Sequence, residues 1–251
     1  MTAYEVVLLR HGETPGYDGD HGLTERGERQ ARDRGAALAA ELKPGTTVRM
    51  PHARTARGTA TAVTLRAALL EALGEDHAVE VGPLYPEPWF DNLRFALHGE
   101  GVDASVAVTE RLTLNGALPD WAREYDRFDT DFGESSRAGG PIGYWLRRPT
   151  LWFEPPHLGA HRMWRGIVEV GRDAPEGLVV LVSTHSAPMR AFAATAIGDD
   201  PGEPANLEEI RVSVHPDGAA TVRFRGHAVG FEGPPELPPW IDRAWLESFG
   251  R

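Results

Sequence analysis

Two histidines stand where residue type and spacing could do chemistry. His11 follows the apolar run Val6-Val7-Leu8-Leu9, and His185 follows Leu178-Val179-Val180-Leu181-Val182. Continuous apolar runs of this kind are typical of buried parallel strands. In open α/β sheets, ligands bind beyond the carboxyl ends of the strands, so the pattern predicts two imidazoles facing one another across a crevice. Arg10 and Gly12 flank His11. An imidazole, a guanidinium and a backbone free to come close are what is needed to handle a phosphoryl group. A single histidine after a strand is more often a structural hydrogen-bonder; the repeat of the pattern, with arginine beside it, carries the chemical reading.

The elements that must position these residues read as βαβαβ over the first eighty positions. After the strand ending at Arg10, Thr24 is a candidate N-cap with Glu25 and Glu28 in the first turn, and the Ala/Leu/Arg-rich stretch to Leu42 is helical until Pro44-Gly45. Strands are expected over Thr46–Met50 and Ala78–Val81, with a helix over Ala53–Leu73 between them. Later, Leu178–Val182 forms a strand, Ser186–Ile197 a helix, and Leu207–Val214 with Ala219–Arg225 a hairpin at a sheet edge, turning through Pro216-Asp217-Gly218. Between them, about 83–176 reads as an irregular insertion over the strand ends. It holds Trp89, Trp121, Trp145, Trp152 and Trp164, the Gly139-Gly140-Pro141 turn, and helix-like pieces at Ser105–Leu114 and His161–Arg172. It is too aromatic for a disordered linker. A carboxyl-terminal strap is expected over 229–251, with a short closing helix from Trp240 to Phe249.

Composition bounds the rest. The 251 residues suffice for one sizeable core, so a single domain over 1–251 is expected. A formal net charge of -11 disfavours a nucleic-acid or anionic-membrane partner. The basic residues are 25 Arg and one Lys, Lys43, which all but removes lysine chemistry. Codon usage is sufficient explanation for that bias. Without Cys there is no disulfide framework, thiolate metal site or cysteine nucleophile. No stretch reaches the roughly 18 apolar residues of a membrane helix, and the amino terminus lacks a basic start and a small-residue cleavage site. A cytoplasmic location is the expectation.

Leu9-Arg10-His11-Gly12-Glu13-Thr14, followed by Leu23-Thr24-Glu25-Arg26-Gly27-Glu28-Arg29-Gln30-Ala31, resembles the amino-terminal signature of the histidine phosphatase superfamily, the phosphoglycerate-mutase-like proteins. Met50-Pro51-His52-Ala53-Arg54 resembles the family's Ser-Pro-Leu-x-Arg element, and the block from Val182 to Arg190 resembles the one bearing its second histidine. The resemblance covers about 4–81 and 178–197. It departs at Met50, where a serine is usual, and at Pro15-Gly16-Tyr17, which replaces a phosphate-contacting Asn. Thr59-Ala60 also lies one residue further from Arg54 than the usual Thr-Ala does, which makes Arg57 a rival to Arg54.

What the resemblance implies is a three-layer α/β sandwich, its mostly parallel sheet flanked by helices, that hydrolyses a small phosphate monoester through a phosphohistidine at His11. Arg10, Arg54 and His185 would surround the phosphoryl oxygens, with no cofactor and no metal. Glu87 is the candidate proton donor and Asp91 its runner-up; Ser186 stands where the phytase-like branch has its acid. Glu13, Thr14, Tyr17, Arg57, Asp91 and Ser186 are candidate substrate contacts. The expected partner is a small phosphorylated metabolite, and a homo-oligomer is left open. Two other readings stand beside this one: phosphoglycerate mutase-type transfer, although the mutases' Glu-Arg-x-Tyr-Gly element is absent and only Arg147-Arg148 echoes their basic pair, or a non-catalytic phosphate-binding module.

Overall fold

The computed structural model describes residues 3–75, 77–133, 140–148 and 152–237. Its frame is a seven-stranded sheet in the order β3-β2-β6-β1-β7-β8-β9. β1 (Tyr4–Arg10), β2 (Thr47–His52), β3 (Glu80–Pro86) and β6 (Leu178–Thr184) are mutually parallel; β7 (Glu209–Val214), β8 (Ala220–Phe224) and β9 (His227–Phe231) extend the sheet antiparallel from β1. Helices α1 (Glu25–Glu41) and α2 (Ala56–Leu73) cover one face. Helices α6 (Pro156–Val170) and α7 (Ser186–Ile197) cover the other.

The apolar run of β1 makes this layering possible. Successive side chains of a strand point to opposite faces. Val7 and Leu9 pack with Leu38, Leu65 and Leu69, while Val6 and Leu8 pack with Met163, Ile167 and Phe192. One strand thus feeds two cores, which a half-polar strand could not do. Met50, fully buried with Leu65 and Leu69, belongs to the first core and does not face the expected crevice. The departure from serine there is therefore a packing choice.

Several expected boundaries move. β3 begins at Glu80 and runs on through Pro83 to Pro86, because an edge strand tolerates proline where an inner one would lose ladder bonds. α2 begins at Ala56, since Thr55 caps it by accepting from the Gly58 N–H. The expected hairpin is β7–β8, but it does not end the sheet. β9 pairs outside it through a two-residue turn, Arg225-Gly226, both at positive φ. Arginine is not among the residues that usually signal such a turn, so the sequence pattern gives no sign of this strand.

The insertion is not irregular. It contains the 3-10 turn Pro88–Phe90, the hairpin of β4 (Arg94–Leu97) and β5 (Glu100–Asp103), and helices α3 (Ala104–Thr113), α4 (Asp120–Gly133) and α5 (Gly140–Arg147). Gly140-Pro141 opens α5 instead of forming a turn; Gly139 lies outside the described residues. α6, starting five residues before the expected His161, packs on the sheet with α7 and so belongs to a main layer. The rest forms a third core in which Phe95, Trp121, Tyr125, Trp145 and Phe153 rest on Ala187 and Ala191 of α7. That contact sets it over the carboxyl ends of β1 and β6. The expected strap continues from β9 without regular structure to Leu237, and the helix expected over Trp240–Phe249 lies outside the described residues.

The Arg10–Gly12 corner is pinched between helices. Gly12 donates its N–H to Thr61 Oγ1 of α2, and Glu13 O accepts from the N–H of Thr24, the N-cap of α1. A Cβ on Gly27 would lie 2.2 Å from Glu13 O, and one on Gly12 2.6 Å from Gly27 O. This close approach explains why both motif glycines are needed at that spacing. Gly27→Ala is expected to lose about 2 kcal/mol or more of stability by overpacking against rigid backbone, read as a lower urea midpoint at unchanged m-value.

Candidate active site

His11 and His185 meet because β1 and β6 are parallel neighbours in register, Arg10 opposite Thr184, with the His11 N–H donating to Thr184 O. Their ring centroids are 5.1 Å apart, and both residues are buried, at 2% and 1% exposure. His11 Nδ1 lies 2.7 Å from its neighbour's carbonyl, Gly12 O. A carbonyl only accepts, so Nδ1 carries the proton and Nε2 keeps its lone pair. Burial, with help from the charges of Arg57 and Arg10, pushes the His11 pKa down to about 3 against the pull of that carbonyl. The ring is thus neutral over the ordinary pH range. Burial also drives His185 well below its usual value, followed by the charges of Arg57 and His11. His185 Nε2 meets Thr55 Oγ1 at 3.1 Å.

Two guanidiniums flank the pair. Arg10 is held by Pro204 O (2.5 Å), by the Tyr17 hydroxyl (3.0 Å) and by Glu203 (3.0 Å). Arg57, 2% exposed, reaches Asp20 at 3.3 Å and Asp103 at 4.0 Å. Arg10 Nε, Arg57 Nε and His185 Nδ1 are buried without a hydrogen-bond partner among the described residues. Asp103 Oδ2 and Ser183 Oγ are likewise unpaired. Unsatisfied buried polar groups are rare and unfavourable, and three of them belong to residues that line one cleft, which is then suited to receive a polar ligand. The amino terminus of α7, beginning at Ser186, adds its positive dipole end.

These groups close one end of a cleft of about 730 Å³, lined also by Tyr17, Ser186 and side chains of α3, α4 and α5. Arg162 steadies its wall: it pairs with Glu154 at 2.8 Å and donates to the backbone carbonyls of Trp89, Asp91 and Asn92, the last lining the cleft.

The expected site residues do not all gather here. His11, His185, Arg10, Tyr17, Ser186 and Arg57 line the cleft; Arg54, Glu87, Asp91, Glu13 and Thr14 do not. Arg54, with its side chain 46% exposed, instead holds Asp91 through its backbone N–H, Nε and Nη2 at 2.6 to 2.9 Å. The sequence does carry the signal for Arg57. Counting back four residues from Thr61-Ala62 reaches it, and a helix places i and i+4 on one face, toward Gly12. Glu87 lies beside a separate depression with Arg49 and Glu169, half-buried, its carboxyl pushed up by burial and then by Asp91 and Glu169. Asp91 is committed to Arg54 and Arg94. Glu13 is tied to Thr24 and Arg26, and Thr14 donates to Gly16 O. The carboxyls lining the cleft are Asp18, Asp129 and Glu203, which lie outside the resemblance's motif blocks or within the insertion. Among the described residues no three His, Asp or Glu side chains gather to hold a metal ion, and no helix is long and apolar enough to cross a membrane.

No family model matches the chain, and no curated protein matches it in sequence. Solved structures match its fold. A mycobacterial protein described as hydrolase 1 is 18% identical, over 90% of this chain and 99% of that one, with a TM-score of 0.52. YhfR of Bacillus stearothermophilus is 20% identical, over 89% and 97%, with a TM-score of 0.53. A mycobacterial glucosyl-3-phosphoglycerate phosphatase is 18% identical over 84% and 90%, at 0.47. At these identities the likeness is one of fold: this chain has the α/β histidine phosphatase fold, shared with the first two structures.

The depressed imidazole has a consequence for stability. His11 takes up a proton near pH 6.5 when unfolded but only near 3 when folded, so the unfolded chain binds more protons below 6.5. Stability from this group is complete above pH 6.5 and is lost as the pH falls toward 3. Between pH 7 and 5 the loss is expected to be about 2 kcal/mol from His11, with His185 acting in the same direction. Urea titrations at the two pH values measure it, and His11→Gln should flatten the dependence.

Proposed function

We propose that this chain is a phosphatase of the histidine phosphatase type, acting on a small phosphorylated metabolite through a phosphohistidine at His11. The observation that carries the proposal is the tautomer: Gly12 O holds the Nδ1 proton, leaving a neutral Nε2 lone pair on a ring 5.1 Å from that of His185 and in the field of Arg57 and Arg10. A neutral imidazole is a competent nucleophile at pH 7, where an unactivated hydroxyl is not. Nε2 attacks phosphorus and the bond to the ester oxygen breaks. Water then attacks the phosphoryl group, the P–N bond breaks, and inorganic phosphate leaves. Arg10, Arg57, His185 and the α7 terminus would stabilise the charge on the equatorial oxygens through both in-line steps.

The leaving oxygen needs a proton, and the described carboxyls that line the cleft are Asp18, Asp129 and Glu203, whereas Glu87 lies beside a separate depression. The position of Glu87 also favours a second reading, a module that binds phosphate without turnover. Mutase-type transfer finds less support. A phosphorylated sugar acid needs cations at both ends, whereas the two lining arginines among the described residues are both beside the histidines.

Release of phosphate from p-nitrophenyl phosphate, with and without EDTA, separates these readings. The expected result is turnover unaffected by chelation and reduced on the order of 10⁴-fold or more in His11→Ala. Full activity in that variant would sink the mechanism, and tight phosphate binding without turnover would favour the binding module. Arg57→Ala is expected to lose about 100- to 1000-fold in kcat/KM. Arg54→Ala, whose guanidinium is already occupied by Asp91, should lose less than about tenfold. A reversed order of the two would return the phosphate to Arg54.

A further inference from the structure

The cleft has two chemically opposite ends. At one end stand His11, His185, Arg10 and Arg57. Away from them the wall is Leu93 and, from three helices of the insertion, Val108 and Leu112 of α3, Phe128 of α4 and Ile142 of α5. The described charged side chains on the cleft beyond the two arginines are Asp18, Asp129 and Glu203, all acidic. A second phosphate or a carboxylate on the far side of a ligand would thus meet apolar carbon and negative charge, with no described cation to pair with. The volume of about 730 Å³ falls in the range of cavities that enclose whole organic ligands, well beyond what a phosphoryl group alone requires.

A second observation agrees. Leu112 of the apolar wall is 67% exposed and lines the cleft. Large apolar side chains left open to water at the rim of a cavity mark a place where apolar surface is meant to be covered. Neighbouring α4 presents Tyr125, Phe128 and Asp129 to the cleft at i, i+3 and i+4, so its apolar contribution comes from one helix face.

From the continuity of this apolar wall with the histidine end, we infer that the substrate is a phosphate monoester of an extended apolar alcohol, aliphatic or aromatic, carrying no further anionic group. The inference deepens the phosphatase reading and rests on it for turnover, but not for binding. The phosphate is held at the histidines, and the hydrocarbon lies along α3, α4 and α5. Specificity then comes mainly from the area removed from water; Asp129, the charged group among these apolar side chains, repels a second anion instead of pairing with it.

A chain-length series tests this. The full chain is titrated calorimetrically with n-alkyl phosphonates from propyl to octyl, and kcat/KM is measured for the matching n-alkyl phosphates, whose leaving groups are nearly equally reactive. Glycerol 3-phosphate and 3-phosphoglycerate serve as hydroxylated and charged comparators. Affinity and kcat/KM are expected to rise about three- to fourfold per methylene until the cleft is filled, leaving 3-phosphoglycerate about 100-fold or more below octyl phosphate. Leu112→Asp, an exposed position, should cut the slope to under about twofold per methylene. A rising phosphonate series with no ester hydrolysed keeps the apolar site and overturns the phosphatase reading. A flat series, or 3-phosphoglycerate as the best ester, while p-nitrophenyl phosphate is still hydrolysed, overturns the apolar site and keeps the phosphatase. Neither binding nor turnover overturns both.

Discussion

The register between β1 and β6 is the constraint on which the site depends. Two parallel strands paired from Tyr4 with Leu178 to Arg10 with Thr184 end at the same level, so the residues that follow them, His11 and His185, emerge side by side. A shift of one residue would send one imidazole to the opposite face of the sheet. The register is held by the two-sided burial of both strands: in β1, Tyr4, Val6 and Leu8 pack into one core and Val7 and Leu9 into the other, and slippage would exchange the cores. The chemistry at the strand ends is thus secured by apolar packing that takes no part in it.

Placing two imidazoles and two guanidiniums together out of water is unfavourable, and the molecule manages this in two ways. The histidines give up their charge, His11 with a pKa near 3, which removes the repulsion and makes one of them a nucleophile. The arginines keep theirs and are balanced by acids: Arg10 by Glu203, Arg57 by Asp20 with Asp103 near. Each guanidinium retains a buried Nε without a partner among the described residues, so part of its donor capacity is uncommitted. A net charge of -11 over the chain is compatible with this arrangement, because the positive field is local and the acidic residues surrounding it are part of the same balance.

How far the site could be read from sequence differed by residue. His11, Arg10 and His185 were visible because each sits at the end of an apolar run, a signal carried by local composition. Thr24 is legible because a helix cap has local residue requirements; Gly27 stands in the resembling motif, and its approach to Glu13 O appears only in the structure. Arg54 and Arg57 were both visible as candidates, but spacing alone could not choose between them. What decided was whether the side chain enters the cleft beside the histidines, as Arg57 does from the first turn of α2, or turns to Asp91, as Arg54 does. Glu87 is a candidate through the resemblance, which has an acid shortly after the third strand, but that strand runs on to Pro86, and Pro83 and Pro86 belong to it only because it lies at the edge of the sheet.

By itself, then, the sequence determined the alternation of strands and helices, the two-faced burial of β1, the cap at Thr24 and the identity of the two histidines. These depend on neighbours a few residues away, through 3.6- and 2-residue periodicity, capping and turn stereochemistry. Only the tertiary structure decided which arginine joins the histidines, which carboxyls line the cleft, and that the aromatic insertion supplies an apolar wall above them. Those outcomes depend on contacts between segments far apart in the chain, such as Phe95, Trp121 and Phe153 resting on Ala187 and Ala191 of α7. Local sequence carries no record of which distant surface such a segment will cover, because the packing free energy exists only once both surfaces are folded.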